Sequence, residues 1–288
     1  MRILLTGAGG QLGQALRGVL ADEEIIALGH CELDITDAPS VAQQVKRYRP
    51  ELLFNVAAYN LVDDAEENVE VAFRVNAFGV LNVARAAQAV GAALVHFSTD
   101  YVFDGRQRRP YCETDTPNPL SVYGMAKLAG EGMVQRYAEK HFVIRTCGLY
   151  GRASKSRKEN FVERMLRAAR EGTPLRVVHD QVLTPTSARE LAERVAPLVR
   201  SGRYGLYHMT NEGQCSWYEF AREVLRLAGL NPPLTPVSSV DYGARAQRPT
   251  YSVLENRAYR AAGLKDFRPW QEALADYLRE RGEQKSSK

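Results

Sequence analysis

Along the first 150 residues, short apolar runs alternate with segments whose apolar positions recur every three or four residues, the pattern of strands joined by crossover helices. The spacing predicts strands over 2–6, 24–28, 52–56, 93–98 and 142–145, and helices over 11–20, 40–48, 69–90 and 123–139. Ile3-Leu4-Leu5 and Leu52-Leu53-Phe54 are continuously apolar rather than alternating, as strands are when helices cover both faces and neither meets water. The expected fold class is therefore α/β, with a doubly wound parallel sheet.

After residue 150 the rhythm loosens. A basic loop with Lys155, Arg157 and Lys158 precedes a helix over 160–171 and a stretch punctuated by Pro174, Pro185, Pro232, Pro233 and Pro236; prolines mark turns rather than long elements. The expected division is a sheet domain over 1–150 and a smaller C-terminal lobe over 151–288, with some segments of the second part returning to the first. The polar tail 283–288 is expected to fray.

A chain of 288 residues, 45% hydrophobic and 25% charged, has the ordinary composition of a packed globular protein. Its net charge of +4 comes from 38 basic and 34 acidic side chains spread along the chain. No basic arm points to nucleic acid, and the cluster at Lys155, Arg157 and Lys158 lacks interleaved aromatics, so it reads as a solvated loop. No apolar run approaches the ~20 residues of a membrane span, which excludes a membrane partner and leads to the expectation of a cytoplasmic protein. Cys31, Cys112, Cys147 and Cys215 share no metal-ligand or disulfide spacing.

Chemistry enters with Thr6-Gly7-Ala8-Gly9-Gly10-Gln11-Leu12-Gly13, placed between the first strand and the first helix. Gly7 suits a tight turn, Gly10 lets backbone approach a pyrophosphate, Gly13 lets the helix pack closely, and free N–H groups at the helix start face the anion. This is the cradle of a Rossmann-type sheet. After the second strand, Gly29-His30-Cys31-Glu32-Leu33-Asp34 offers no acid at the strand end for a ribose hydroxyl and no arginine for a 2′-phosphate, leaving NADPH and NADH both open. Asp34 suits either a place beside an adenine, with Ile35, or the cap of the following helix.

Tyr123 and Lys127 stand four apart on a predicted helix, hence on one face. A phenol with a pKa of ~10 serves in proton transfer when a neighbouring cation favours the phenolate. The strand over 93–98 delivers Ser98 and Thr99 at the sheet's carboxyl edge, where open α/β sheets bind ligands; Thr99 suits the orientation of a substrate carbonyl. Asn55-Val56-Ala57-Ala58 ends the third strand with small residues that leave room for a cofactor. Asn76 suits either backbone near the site or its own turn.

With these motifs the chain resembles the extended short-chain dehydrogenase/reductase family, and within it the dTDP-4-dehydrorhamnose reductase branch. The resemblance rests on the glycine cradle, Asn55-Val56-Ala57-Ala58-Tyr59 with Val62-Asp63-x-Ala65-Glu66, Ser98-Thr99-Asp100-Tyr101-Val102-Phe103-Asp104-Gly105, Pro119-x-x-x-Tyr123-Gly124-x-x-Lys127 and Arg145-Thr146, followed by Thr184-Pro185-Thr186, Gly205-x-Tyr207-His208, Arg248-Pro249 and Trp270. It implies NADPH- or NADH-dependent reduction of the C4 ketone of a nucleotide sugar, dTDP-4-dehydro-L-rhamnose, to dTDP-L-rhamnose. Carried onto matching positions, Tyr123 is the acid, Lys127 its modifier and a ribose ligand, and Thr99 the hydroxyl partner. Gly7, Gly10, Gln11, Leu12, Gly13, Asp34, Ile35, Ala57, Ala58, Tyr59, Asn76, Tyr123 and Lys127 surround the cofactor, and Asn60, Val62, Thr99, Asp100 and Tyr123 hold the sugar. Two departures stand out. Arg145-Thr146 is followed by Cys147-Gly148 where the family usually carries a serine and a tryptophan, so a stacking surface is expected to be missing. Ala15 replaces a glutamate that joins a metal site in some members, so no metal is expected. A homodimer is the common default. A regulatory relative similar to the beta subunit of methionine adenosyltransferase, and a reductase or epimerase of another nucleotide sugar, are the competing expectations.

Overall fold

The computed structural model describes residues 1–152 and 159–282; the predicted basic loop and the tail lie outside them. In chain order the elements are β1 (Arg2–Thr6), α1 (Gln11–Val19), β2 (Glu24–Leu28), α2 (Ala38–Tyr48), β3 (Leu52–Asn55), α3 (Val62–Ala65), α4 (Val69–Phe73), α5 (Val80–Val90), β4 (Ala93–Thr99), α6 (Val122–Tyr137), β5 (His141–Thr146), β6 (Leu149–Tyr150), α7 (Phe161–Arg170), β7 (Leu175–Val178), β8 (Val182–Leu183), β9 (Thr186–Ser187), α8 (Ala188–Arg200), β10 (Gly205–His208), β11 (Cys215–Ser216), α9 (Trp217–Ala228) and β12 (Leu234–Val237), with three more helices, α10 (Ser239–Tyr242), α11 (Arg257–Ala261) and α12 (Trp270–Glu280).

The main sheet runs β10-β5-β4-β3-β1-β2, all parallel. Strand alternation divides its side chains between two cores. On one face Ile3, Leu5, Phe54, Phe97, Phe142 and Ile144 meet Leu12 and Leu16 of α1 and Leu191 and Val195 of α8. On the other, Leu4, Leu53, Leu94 and Val143 meet α2, α5 and α6 through Val41, Val45, Val80, Val83 and Val134. Each such buried side chain contributes roughly 1.5–3 kcal/mol, so the sheet is held from both sides, as the continuous apolar strands required. A third core lies among later residues, where Tyr150, Phe220, Trp270 and Tyr277 pack with Met165 and Leu166.

Two features depart from the sequence expectation. The single helix predicted over 69–90 is α4 and α5 joined by a π-helical segment over Arg74–Gly79. Its cause lies in two contacts: the Asn76 side chain bonds both the N–H and the C=O of Tyr59, each at 2.9 Å, and α6 passes so close to the Asn76 carbonyl that only a glycine, Gly130, fits there. A wider turn displaces Asn76 toward both neighbours. The sheet also has a sixth strand, β10, which pairs with β5 from Gly205↔Phe142 to His208↔Arg145; its four residues lie within the stretch where the strand–helix rhythm loosens and carried no strand signal of their own.

Candidate functional site

A cleft of 480 Å³ opens across the carboxyl ends of the strands. Gly10, Gln11, Leu12 and Gly13 line one end, Ala58, Asn60 and Val62 one wall, and Thr99, Asp100, Tyr123 and Lys127 the centre.

The cradle is built by backbone. Gly7 adopts φ +65°, and a Cβ there would stand 2.6 Å from the Ala57 nitrogen; a Cβ on Gly13 would stand 2.8 Å from the Ala8 carbonyl oxygen. Gly10 caps α1 without a side-chain bond, leaving first-turn N–H groups free to receive an anion. These constraints fit a dinucleotide pyrophosphate: at two of the three glycines that sequence reasoning chose, Gly7 and Gly13, a side chain would collide with backbone, while Gly10 has room for one, its nearest atom being the Gly7 carbonyl oxygen at 3.4 Å.

Several expected cofactor residues lie behind the cleft rather than on it. Gly7 shapes the turn against Ala57. Ile35 is core, and Asp34 is exposed, its Oδ1 accepting from the Thr36 N–H at 2.9 Å. The cap of α2 is Asp37, which accepts from the Ser40 N–H, so the capping reading of Asp34 is corrected by three residues. Asn76 pins the backbone of Tyr59, and the Tyr59 hydroxyl donates to Asp64, which pushes its pKa up to about 12.

At the centre, Ser121 caps α6 by accepting from the Gly124 N–H at 3.2 Å. The helix therefore starts at Val122, with Tyr123 in its first turn and Lys127 one turn on. Tyr123 and Thr99 line the centre of the cleft together. Thr99 Oγ1 donates to Asp100 Oδ1 at 3.1 Å and accepts from the Tyr101 N–H. Lys127 Nζ donates to the Phe97 carbonyl at 2.6 Å. Behind it the buried pair Arg145–Glu131, at 2.7 Å, also holds Ser98.

Burial, then the Asp100 charge, push the Tyr123 phenol up to about 12, with the neighbouring Thr99 hydroxyl acting the other way. The expected phenolate-favouring influence of Lys127 is thus outweighed, and Tyr123 stands as a protonated phenol. Burial brings Lys127 down to about 8, with Glu131 pulling the other way. Burial also raises Asp100, although Cys147, Ser252 and Thr99 all donate to it.

Thr146, Cys147 and Gly148, which the sequence marked as an altered segment, line the far wall, and sequence reasoning missed the rest of it: Phe161, Gln181, Leu183, Trp217 and Ser252. Cys147 Sγ donates to Asp100 Oδ2 at 3.0 Å. Gly148 has φ +52°, and a Cβ there would stand 2.7 Å from Leu183 Cδ1, so this backbone leaves no easy place for the tryptophan usual in relatives. An aromatic surface is nevertheless present: Trp217 lies 4.6 Å from Phe161, centroid to centroid, and both face the cleft. A signal existed, since Ser216 and Glu219 form a capping box that announces a helix start and places Trp217 in its first turn. Among the described residues, no group of three His, Cys, Asp or Glu could hold a metal ion, and no helix is long and apolar enough to cross a membrane.

A glycine cradle opening onto a half-buried tyrosine and a buried lysine at the edge of a doubly wound sheet defines a nicotinamide-dependent oxidoreductase of the short-chain dehydrogenase type. Comparison narrows the class. The family model described as RmlD substrate binding domain matches residues 1–282. A Bacillus subtilis spore coat polysaccharide biosynthesis protein, SpsK, is 41% identical over 282 residues, covering 97% of this chain and 98% of its own length. A Streptomyces griseus dTDP-4-dehydrorhamnose reductase is 39% identical over 284 residues, covering 96% and 92%. The crystal structure of dTDP-4-dehydrorhamnose reductase from Bacillus anthracis in complex with NADP superposes with a TM-score of 0.93 at 38% identity, covering 97% of this chain and 99% of that one. The chain belongs to the RmlD substrate binding domain family.

Proposed function

We propose that this protein reduces the C4 ketone of dTDP-4-dehydro-L-rhamnose to dTDP-L-rhamnose with NADPH or NADH. The observation that carries this reading is the shared cleft: Thr99, Tyr123 and Lys127 open onto the same space as Gly10–Gly13. A reduced nicotinamide, when bound, supplies the hydride. In our reading Gln11, Leu12 and Gly13 hold the pyrophosphate by N–H groups at the turn that Gly10 closes onto Gly7, Lys127 holds ribose hydroxyls, and Asp34 and Ile35 lie toward the adenine, with Gly7, Ala57, Tyr59 and Asn76 keeping the cofactor wall in shape.

The substrate carbonyl would accept hydrogen bonds from Thr99 and Tyr123. As the ketone becomes an alcohol, Tyr123 gives its proton to the C4 oxygen, and the Lys127 ammonium stabilises the phenolate left behind. Asn60, Val62 and Asp100 orient the sugar, while residues 151–288, mainly a substrate-binding lobe, complete its pocket through Phe161, Gln181 and Trp217.

The test is direct. Purified protein given each reduced cofactor and dTDP-4-dehydro-L-rhamnose should consume reduced nicotinamide and yield dTDP-L-rhamnose; a folded, cofactor-bound protein that does neither overturns the assignment. The glycine at 148 and the aromatic pair Trp217 and Phe161 favour one second reading, the same reduction on another dTDP-linked 4-keto sugar. A panel of such sugars, read by product identity, separates the two.

A further inference from the structure

Among the described residues that line the cleft, one side chain carries a buried polar atom with no hydrogen-bond partner: Thr146, at Oγ1. The residue is 8% exposed. A buried hydroxyl left unpaired is costly and rare in folded proteins, so it calls for a partner that the folded chain does not supply. Every other polar group nearby has one: Thr99 is bonded to Asp100 and Tyr101, Cys147 to Asp100, and Lys127 to Phe97.

The position of Thr146 says what that partner is. It ends β5 in register with Thr99 at the end of β4. By strand alternation it shares a face with Phe142 and Ile144, the face covered by α1, whose N-terminus is the cradle. Cys147, the next residue, turns the other way, toward Asp100. Thr146 thus lies on the cofactor side of the reacting centre and Cys147 on the sugar side.

Resting on the proposed reductase reading, we infer that Thr146 is a nicotinamide-binding residue whose hydroxyl bonds the carboxamide of the dinucleotide and fixes the rotation of the ring. A carboxamide carries both a donor and an acceptor, and a threonine hydroxyl answers either.

Thr146→Val keeps the shape and deletes the hydroxyl. Without ligand, the variant should unfold at the same temperature as the parent or higher, because it no longer buries an unpaired hydroxyl. Its affinity for NADP⁺ and NAD⁺, measured by titration calorimetry, should fall roughly three- to tenfold. Affinity for ADP-ribose and its 2′-phosphate, which lack the nicotinamide, should not change. Thr146→Ser should retain the parent's affinities, and Thr146→Ala against Thr146→Ser gives the same contrast if the valine variant does not fold. Equal loss for ligands with and without nicotinamide, no loss for either, or a ligand-free unfolding temperature several degrees lower overturns the inference. A parent protein that binds the dinucleotides but reduces no sugar overturns the assigned activity and leaves this contact standing, so the two failures separate.

Discussion

The two ends of the cleft are made of different material. At the cradle end the walls are backbone: the first-turn N–H groups of α1 face the cleft, and at Gly7 and Gly13 the selection is against a side chain. At the proposed sugar end the walls are side chains from distant segments: Asp100 is bonded by Thr99 and Cys147, and Trp217 packs tilted against Phe161. A site built of backbone is fixed by local geometry and tolerates no added atom. A site built of side chains is fixed by packing and can be retuned one residue at a time. The first suits a cofactor shared by many enzymes; the second suits a substrate that differs among them.

The contrast is tested most severely between the ends, at Tyr123. Tyr123→Phe removes the proposed proton donor without touching the cradle, so turnover should fall by a factor of ~10² to 10⁴ while NADP⁺ affinity stays within about twofold of the parent's. Steady-state kinetics and titration calorimetry on one preparation check both. A comparable loss of cofactor affinity would show that the two ends are not separable.

Gly7→Ala is the converse. A side chain at φ +65°, with its Cβ 2.6 Å from the Ala57 nitrogen, brings roughly 1–3 kcal/mol of strain and displaces the turn. Dinucleotide affinity should fall roughly ten- to a hundredfold, with part of the strain appearing as a lower unfolding temperature. Unchanged affinity would mean that the cradle does not hold the cofactor by shape.

The same contrast explains what could be read in advance. Gly7, Gly10 and Gly13 are close in sequence and follow an apolar strand, so spacing alone located the cradle. Tyr123 and Lys127 are one helical turn apart, and that regularity too is visible in one dimension. The sugar wall joins residues 99–100, 147–148, 161, 181–183, 217 and 252, which share no period; their proximity follows only from how the second lobe folds back. Gly148 shows the cost, because one altered position suggested a lost stacking surface while Trp217 occupied the same cleft from another helix. The π-helical segment at Arg74–Gly79 was hidden for a related reason: a helical hydrophobic pattern does not register one wider turn when the cause, Asn76 bonding Tyr59, is tertiary.

Lys127 provides a pH test of the centre. Burial lowers it from its ordinary 10.5 to about 8, so the ammonium is present below that pH and lost above it. Reduction should be level below pH 8 and fall about tenfold per pH unit above it, as loss of one essential proton requires. Stability moves the other way: between about 8 and 10.5 the unfolded chain binds the proton more tightly, so the Lys127 contribution to folding stability rises with pH. A rate–pH profile beside thermal unfolding at each pH distinguishes loss of the charge from unfolding, and Lys127→Met should remove this limb. A limb unchanged by that substitution would assign it to another group.

The smallest effect belongs to the aromatic wall and bears most directly on the material at the sugar end. Trp217 is half-buried, packs against the cluster that contains Cys147 and Leu183, and faces the cleft beside Phe161. An aromatic face over a sugar ring contributes roughly 0.5–1.5 kcal/mol beyond the area it covers, so Trp217→Ala should raise KM for the nucleotide sugar about three- to tenfold. The cofactor KM and kcat should hold, because no cradle residue is touched. Direct contact has its own readout: the chain has two tryptophans, the other being the buried Trp270, so in a Trp270→Phe background the indole emission reports Trp217 alone. Titration with dTDP-L-rhamnose should then change that emission and saturate with the product's inhibition constant. If emission does not respond while the product binds, Trp217 is a packing residue of the second lobe, and the sugar end owes its specificity to Asp100, Cys147 and Gln181 instead.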